Sequence, residues 1–351
     1  MTTADLILHL LETARFRASR WNGVGRFRDA REYFDLGEGG PLDDEYVRRL
    51  KQINERFPEF LDPGRVEAPD PSVVSHEGQL IRFPSPSPIG DPAVDRVALR
   101  VYPAPAGVPP VGVLFHHWIY LDGWRAVDYL LRPLSRRFRV AVMIASHHMM
   151  RRRRGFGPGE GMVNPNPRHL LEALRQWQAD HAACLRLLAR DHGFASTVVL
   201  GYSLGGYGTL LSHMLGPALP TVAVCVTNNY GRGVLRSFTT PELRVRLRQA
   251  GFTRSSFLRV TRAIHLARWA HRIDTRSLTW ISARHDTIEP RESLREPLER
   301  LHPERYVELP GGHATAALFR RRIAREVETR VGELMQRAQP ADVRSLSPDY
   351  P

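Results

Sequence analysis

Ser203 sits between Gly201 and Gly205 in "TVVLGYSLGGYGTLLSHML", with a β-branched run before it and a helical pattern after it. Glycines two positions to either side of such a serine let strand and helix approach closely while the serine occupies a tight, strained turn. The chemistry on offer is nucleophilic. A hydroxyl attacks an electrophilic carbon once a base takes its proton, and the base needs a carboxylate to orient it and to stabilise its cation. Gly206 and Gly208 add close packing to the following helix. The alternative is a purely structural strand-to-helix turn, and the strand-turn-helix setting favours the nucleophile over it.

In an architecture of alternating strands and helices, the acid and then the histidine should follow the serine, each just past a later strand. "SLTWISARHDTIEP" closes one strand run and presents Asp286, and "RYVELPGGHATAALF" closes the last and presents His313. With 15 histidines in the chain the order alone is easily met; the Gly311–Gly312 pair, which frees the backbone to aim His313, argues against chance. Asn228 and Asn229 follow the run "TVAVCVT" but are not ionisable, which supports Asp286 as the acid. His285 reads as a packing or solvent-facing residue, and Asp180 and His181 as part of a helix face.

The elements that must hold these groups follow from periodicity. "QLIRF", "VALRVYP", "VGVLFHH", "FRVAVMIAS", "TVVLG", "TVAVCVT", "SLTWISA" and "RYVELP" read as strands. "DYLLRPLSRR", "RHLLEALRQWQADHAACLRLLARD" and "ATAALFRRRIAREVETRVGELMQ" read as helices between and after them. Strands alternating with helices predict an α/β fold with a mostly parallel twisted sheet flanked by helices. Residues 1–75 read as a helical N-terminal extension and Pro-rich linker, with Leu6, Leu10, Leu11 and Phe16 on one helix face. The core then runs over 76–230 and 275–338, interrupted at 231–274 by a basic, helical cap insertion, and 339–351 form a polar tail. Phe238, Phe257, Leu258, Ile264, Leu266 and Trp269 give that cap enough apolar surface to roof a pocket.

From about residue 78 to 335 the chain resembles the α/β-hydrolase superfamily, in its serine esterase and lipase-like branch. The stretches "GYSLGG", "RHDTIEP" and "LPGGH" are similar in wording and order to that family's elbow, acid and histidine motifs. The resemblance implies Ser203 as nucleophile, His313 as general base and then acid, and Asp286 as the orienting carboxylate. It implies an oxyanion hole with one donor at the Leu204 N–H and a second from the loop after "VGVLFHHWIYLDGW". The family usually shows His-Gly there, and this chain has His116-His117-Trp118, so His117 and Trp118 compete for the second donor and Trp118 is favoured. The expected activity is hydrolysis of a carboxylic ester or thioester through an acyl-serine. An acyltransferase using the same triad, or a non-catalytic binding protein of this fold, are the alternatives.

"ASHHMMRRRRGFGPGEG", residues 145–161, opens the loop after "FRVAVMIAS" and resembles, less specifically, a loop of one bacterial branch of the superfamily. Loops leaving the carboxyl ends of parallel strands surround the binding crevice, so Arg151 and Arg152 are candidates for pairing with an anionic group of the substrate. His117 and Tyr202 complete the expected substrate-binding set, and His116 is expected to brace its loop. A zinc site shared by the pairs His116–His117 and His147–His148 is disfavoured, since no Asp, Glu or Cys lies at ligand spacing beside them. No metal is therefore expected, and no organic cofactor either, since no G-x-x-x-x-G-K-[ST] pattern occurs.

The formal charge of +13 comes almost wholly from arginine, since Lys51 is the one lysine, and it is spread along the chain. Without a helix-turn-helix, RNP or zinc pattern it does not point to nucleic acid. Cys184 and Cys225 sit in apolar runs and read as buried residues rather than a disulfide framework. No run near 18 apolar residues predicts a spanning helix, and no signal peptide is read at the N-terminus. A cytoplasmic protein acting on a small ester or acyl compound is therefore expected; its oligomeric state is not legible.

Overall fold

The computed structural model of the protein describes Tyr33 and residues 44–216, 218–236 and 241–337. The expected N-terminal amphipathic face of Leu6, Leu10, Leu11 and Phe16, together with Phe238 and the tail 339–351, lies outside the described residues. The chain enters through α1 (Asp44–Glu55) and the short α2 (Phe57–Leu61), whose Phe57, Pro58 and Leu61 are buried. A hairpin edge follows, β1 (Ser75–Glu77), β2 (Leu80–Pro84) and β3 (Arg96–Val101). The alternating part then runs β4 (Val111–His116), α3 (Trp124–Ser135), β5 (Arg139–Ile144), α4 (Pro167–Asp191), β6 (Ser196–Tyr202), α5 (Leu204–Leu215) and β7 (Thr221–Val224). Three short helices, α6 (Tyr230–Arg236), α7 (Pro241–Gln249) and α8 (Arg254–Val260), and two 3-10 segments make the insertion. The chain then returns through β8 (Leu278–Ala283), α9 (Arg291–Leu301), β9 (Arg305–Leu309) and α10 (Arg320–Arg337).

Within the described residues the nine strands form one sheet in the order β1-β2-β3-β5-β4-β6-β7-β8-β9. The pairings β1–β2, β2–β3 and β3–β5 are antiparallel and every pairing from β5 to β9 is parallel. All parallel strands except β9 are almost wholly buried, as a sheet covered on both faces requires. Their side chains alternate between the two cores. Val113 and Phe115 of β4, with Val140 and Val142 of β5, pack with α3 and α10, whereas Leu114, Ala141 and Met143 face α4 and α5. After β4 the chain turns to one side to make β5 and then crosses to the other side to make β6, so β4 and β6 flank the point where strand order reverses. Open α/β sheets place their binding crevice outside the carboxyl ends of the strands at such a switch.

Two elements escape the sequence reading. β1 has only three residues, and α9 is written "RESLREPLERL", where charges and Pro297 mask the buried Leu294 and Leu301. The N-terminal helices pack on the insertion. The Asn54 amide donates to the Val260 carbonyl at 2.9 Å and accepts from the Ala263 N–H at 2.6 Å. The rings of Phe57 and Trp269 lie 6.1 Å apart. Tyr46 reaches the loop before α4 and donates to Asn166 at 2.6 Å.

Candidate active site

Ser203 ends β6 and precedes α5 with φ 56° and ψ −116°, a left-handed backbone that a residue with a side chain adopts at a cost. Two glycines make the turn possible. A Cβ on Gly205 would stand 2.0 Å from the His116 carbonyl oxygen, and one on Gly201 would stand 2.6 Å from the Gly206 Cα. The start of α5 is thus pressed against the end of β4, which brings the loop carrying Trp118 beside the serine. The Ser203 N–H donates to the Val224 carbonyl at 2.7 Å, tying the turn to β7.

Asp286, His313 and Ser203 meet at this edge. His313 Nδ1 lies 2.8 Å from Asp286 Oδ2, and His313 Nε2 lies 2.8 Å from Ser203 Oγ. The other carboxylate oxygen, Asp286 Oδ1, accepts from the N–H groups of Ile288 at 2.9 Å and Glu289 at 2.8 Å, which fixes the carboxylate plane. A carboxylate only accepts, so Nδ1 carries the ring proton and Nε2 is left to accept the Ser203 hydroxyl. All three side chains are buried, with residue exposures of 2% for Ser203, 6% for Asp286 and 5% for His313. Burial strengthens each of these bonds by excluding water. Thr227 Oγ1 lies at the outer limit of hydrogen-bond reach, 3.5 Å from Ser203 Oγ.

Of the expected oxyanion donors, Leu204 opens α5, where the first N–H groups of a helix have no intrahelical acceptor. Trp118 is half-buried on the loop after β4, with its ring 5.6 Å from that of Tyr202.

Three residues expected to bind substrate are placed otherwise. The Ala145 N–H donates to His117 Nε2 at 3.0 Å, so Nδ1 holds the proton and donates to the Trp118 carbonyl at 2.7 Å. Both ring nitrogens of His117 are therefore committed to backbone, and His117 braces the Trp118 loop. Burial, with His148 beside it, pushes the imidazole well below the usual histidine range. The Tyr202 hydroxyl donates to the His313 carbonyl at 2.6 Å and so holds the histidine's backbone instead of a ligand.

Arg151 is the clearest correction. Its side chain has no solvent exposure. It donates from Nε and Nη2 to the Val94 carbonyl (3.0 and 2.7 Å), from Nη1 to the Ile144 carbonyl (2.9 Å) and from Nη2 to Asp180 Oδ2 (2.7 Å). Asp180 takes a further hydrogen bond from the Ser85 hydroxyl at 2.6 Å, so the pair ties the β5 loop to α4 and the edge hairpin. Burial raises the Asp180 carboxyl, and the Arg151 charge opposes that shift. The rest of the arginine run is superficial. Arg152 pairs with Asp122 at 3.2 Å, Arg153 with Asp91 at 3.6 Å, and Arg154 is exposed.

His116 fastens the end of β4 to α4 and not its own loop, which His117 holds. Its Nε2 lies 2.9 Å from His181 Nδ1 and its ring stacks on Trp177 at 5.3 Å. Among the described residues the only group of three or more metal-ligating side chains is Cys225, Asp286 and His313.

The sequence reading missed Glu289. It is 2% exposed, its Oε2 accepts from Asn228 Nδ2 at 2.8 Å and from the Ser293 hydroxyl at 2.7 Å, and so it joins the β7 loop to α9. Burial pushes its carboxyl up to about 8; the Ser293 hydrogen bond opposes this and the neighbouring Asp286 charge adds to it. Its place three residues after Asp286 was the one signal available. A groove of about 450 Å³, lined by residues including His76, Tyr102, Arg139 and His192, opens at the opposite, amino end of the parallel strands.

No family model matches the chain, and no curated protein matches it by sequence. Solved structures do match its fold. An acetyl xylan esterase from Paenibacillus sp. R4 superposes with a TM-score of 0.54 at 14% identity, over 86% of this chain and 98% of that one. Acetyl xylan esterase 1 from Thermoanaerobacterium sp. JW/SL YS485 gives 0.50 at 16% identity, over 81% and 92%. Est1E from Butyrivibrio proteoclasticus, solved with bound ferulic acid, gives 0.50 at 11% identity, over 67% and 96%. With the sheet order, the strained serine after β6 and these neighbours taken together, the chain has the α/β-hydrolase fold.

Proposed function

We propose that the protein is a serine hydrolase that cleaves a small carboxylic ester or thioester through an acyl-Ser203 intermediate. The observation that carries this reading is the continuous pair of 2.8 Å hydrogen bonds from Ser203 through His313 to Asp286. In the first half-reaction Ser203 Oγ attacks the acyl carbon as His313 Nε2 takes its proton, and Asp286 stabilises the resulting imidazolium. The tetrahedral oxyanion is held by the N–H of Leu204 and, in this reading, by that of Trp118; each such donor is worth about 10² to 10³ in rate. His313 returns the proton to the departing alcohol or thiol. Water, deprotonated by the same nitrogen, then releases the acid and restores Ser203. Two fold neighbours bear the name acetyl xylan esterase and a third was solved with ferulic acid, which agrees with an ester substrate.

The insertion at 231–274 is read as a cap over the site, and its Phe257 packs 6.2 Å from Tyr230 just past β7. Arg152, with 38% of its side chain exposed, remains the candidate for meeting an acidic group of the substrate. The test is a panel of p-nitrophenyl esters and acyl thioesters varied in acyl length and charge. Wild type turns over part of the panel, and Ser203→Ala reduces that turnover by about 10⁴-fold or more. A folded wild type inert to the whole panel contradicts the reading.

A further inference from the structure

Close to the His313–Asp286 pair lies a third side chain that the proposed mechanism does not use. Cys225 follows β7, is 2% exposed, has φ 48°, and is held by its N–H on the Ile281 carbonyl at 2.8 Å. One ligand atom each from Cys225, Asp286 and His313 lies within 4.8 Å of the other two. Thiolate, imidazole and carboxylate together are the donor set of a tetrahedral zinc site, whereas calcium or magnesium would ask for oxygen alone. Zinc bonds of about 2.0 to 2.3 Å set tetrahedral ligand atoms roughly 3.3 to 3.6 Å apart, so the imidazole and carboxylate must part from 2.8 Å and the thiol, within 4.8 Å of both, must close on them. Asp286 is already pinned through Oδ1 by two backbone N–H groups, which leaves Oδ2 as the ligand.

We propose that Cys225, Asp286 and His313 form an inhibitory zinc site, so that a bound zinc ion shuts off the serine. Its effect on turnover rests on the hydrolase reading; its binding does not. The atoms balance without any redox partner. The Cys225 thiol loses its proton to solvent as the S–Zn bond forms. Zinc takes His313 Nδ1, whose proton moves to Nε2, and takes Asp286 Oδ2. His313 Nε2 then donates instead of accepting, and Ser203 has no base. Water fills the fourth position.

Two measurements with zinc sulfate test this, competition against a chromophoric chelator and inhibition of ester turnover. Wild type should take up a single zinc per chain and lose turnover, and EDTA should restore it. Cys225→Ala should turn over as wild type does but need about 100-fold more zinc for either effect, since loss of a direct ligand costs at least as much as loss of an outer-shell partner. Should Cys225→Ala fail to fold, Cys225→Ser and Asp286→Asn, assayed for zinc uptake alone, must both bind more weakly than wild type. Equal zinc uptake by wild type and variants, or none by wild type, overturns the site whatever the turnover. Cys225-dependent uptake in a chain without esterase activity upholds the site and fails the hydrolase reading.

Discussion

His313 and His117 are both buried imidazoles at the carboxyl edge of the same sheet, each with both ring nitrogens bonded, and they differ only in what those nitrogens face. For His313 the partners are a carboxylate and a hydroxyl, at 2.8 Å each. For His117 they are the Ala145 N–H and the Trp118 carbonyl, at 3.0 and 2.7 Å. A serine hydroxyl can surrender its proton to the ring while the carboxylate balances the new charge. A peptide group does neither, so the second histidine is locked in one tautomer and serves as a brace. Side-chain type and burial therefore do not distinguish chemistry from scaffold here; the acidity of the bonded partner does. The same contrast separates the two buried aspartates, since Asp286 faces a transferable proton and Asp180 faces the fixed cation of Arg151.

The largest effect should come from breaking the reactive side. Asp286→Asn keeps the shape of the side chain but favours the wrong tautomer of His313, and it should lower kcat by about 10⁴-fold with little change in thermal stability. An unaltered kcat would move Asp286 out of the relay.

On the scaffold side, Arg151→Met strands Asp180 without its cation and should cost about 3 to 5 kcal/mol in urea unfolding, while the folded fraction keeps its KM. A stable variant with a raised KM for anionic esters would instead return Arg151 to the substrate site.

A graded effect concerns pH. Burial lowers both His148 and His181 to about 4, and it lowers His116, His117 and His147 well below the usual histidine value of 6.5. Between these limits the five rings bind protons in the unfolded chain that they refuse in the folded one, which outweighs the opposite contribution of the raised carboxyls of Glu289 and Asp180. Stability should therefore fall as pH drops from about 6.5 toward about 4. The slope should persist in Ser203→Ala, because it belongs to the bracing histidines; midpoints of urea unfolding across that range would show it, and a flat profile would mean these rings are not held neutral.

The succession of strands and helices along the chain, the elbow and the three residues that meet at it are legible because each of those residues lies just past a buried strand run, where local pattern and topology coincide. Tyr202 carries a signal of its own in the sequence. It falls in phase with Val198 and Leu200 along β6, all three in the core shared with α10, so its ring packs while its hydroxyl finds the His313 carbonyl. Arg151 was misread because four consecutive arginines look like a solvated run. Its partner Asp180 lies 29 residues away, in the middle of a helix whose neighbours Trp177, Ala183 and Leu187 are buried. An aspartate on such a face demands a cation, and that demand was the available clue. Glu289 and Cys225 depend on three strand ends converging, which no single stretch of sequence reports.

The central claim is that Ser203 is a nucleophile activated by His313. Its most direct test is labelling with a fluorophosphonate followed by peptide mass spectrometry. The account predicts stoichiometric label on Ser203 in wild type, and none in Ser203→Ala or in a folded His313→Ala. A folded wild type that stays unlabelled, or label on another residue that persists in Ser203→Ala, would contradict it.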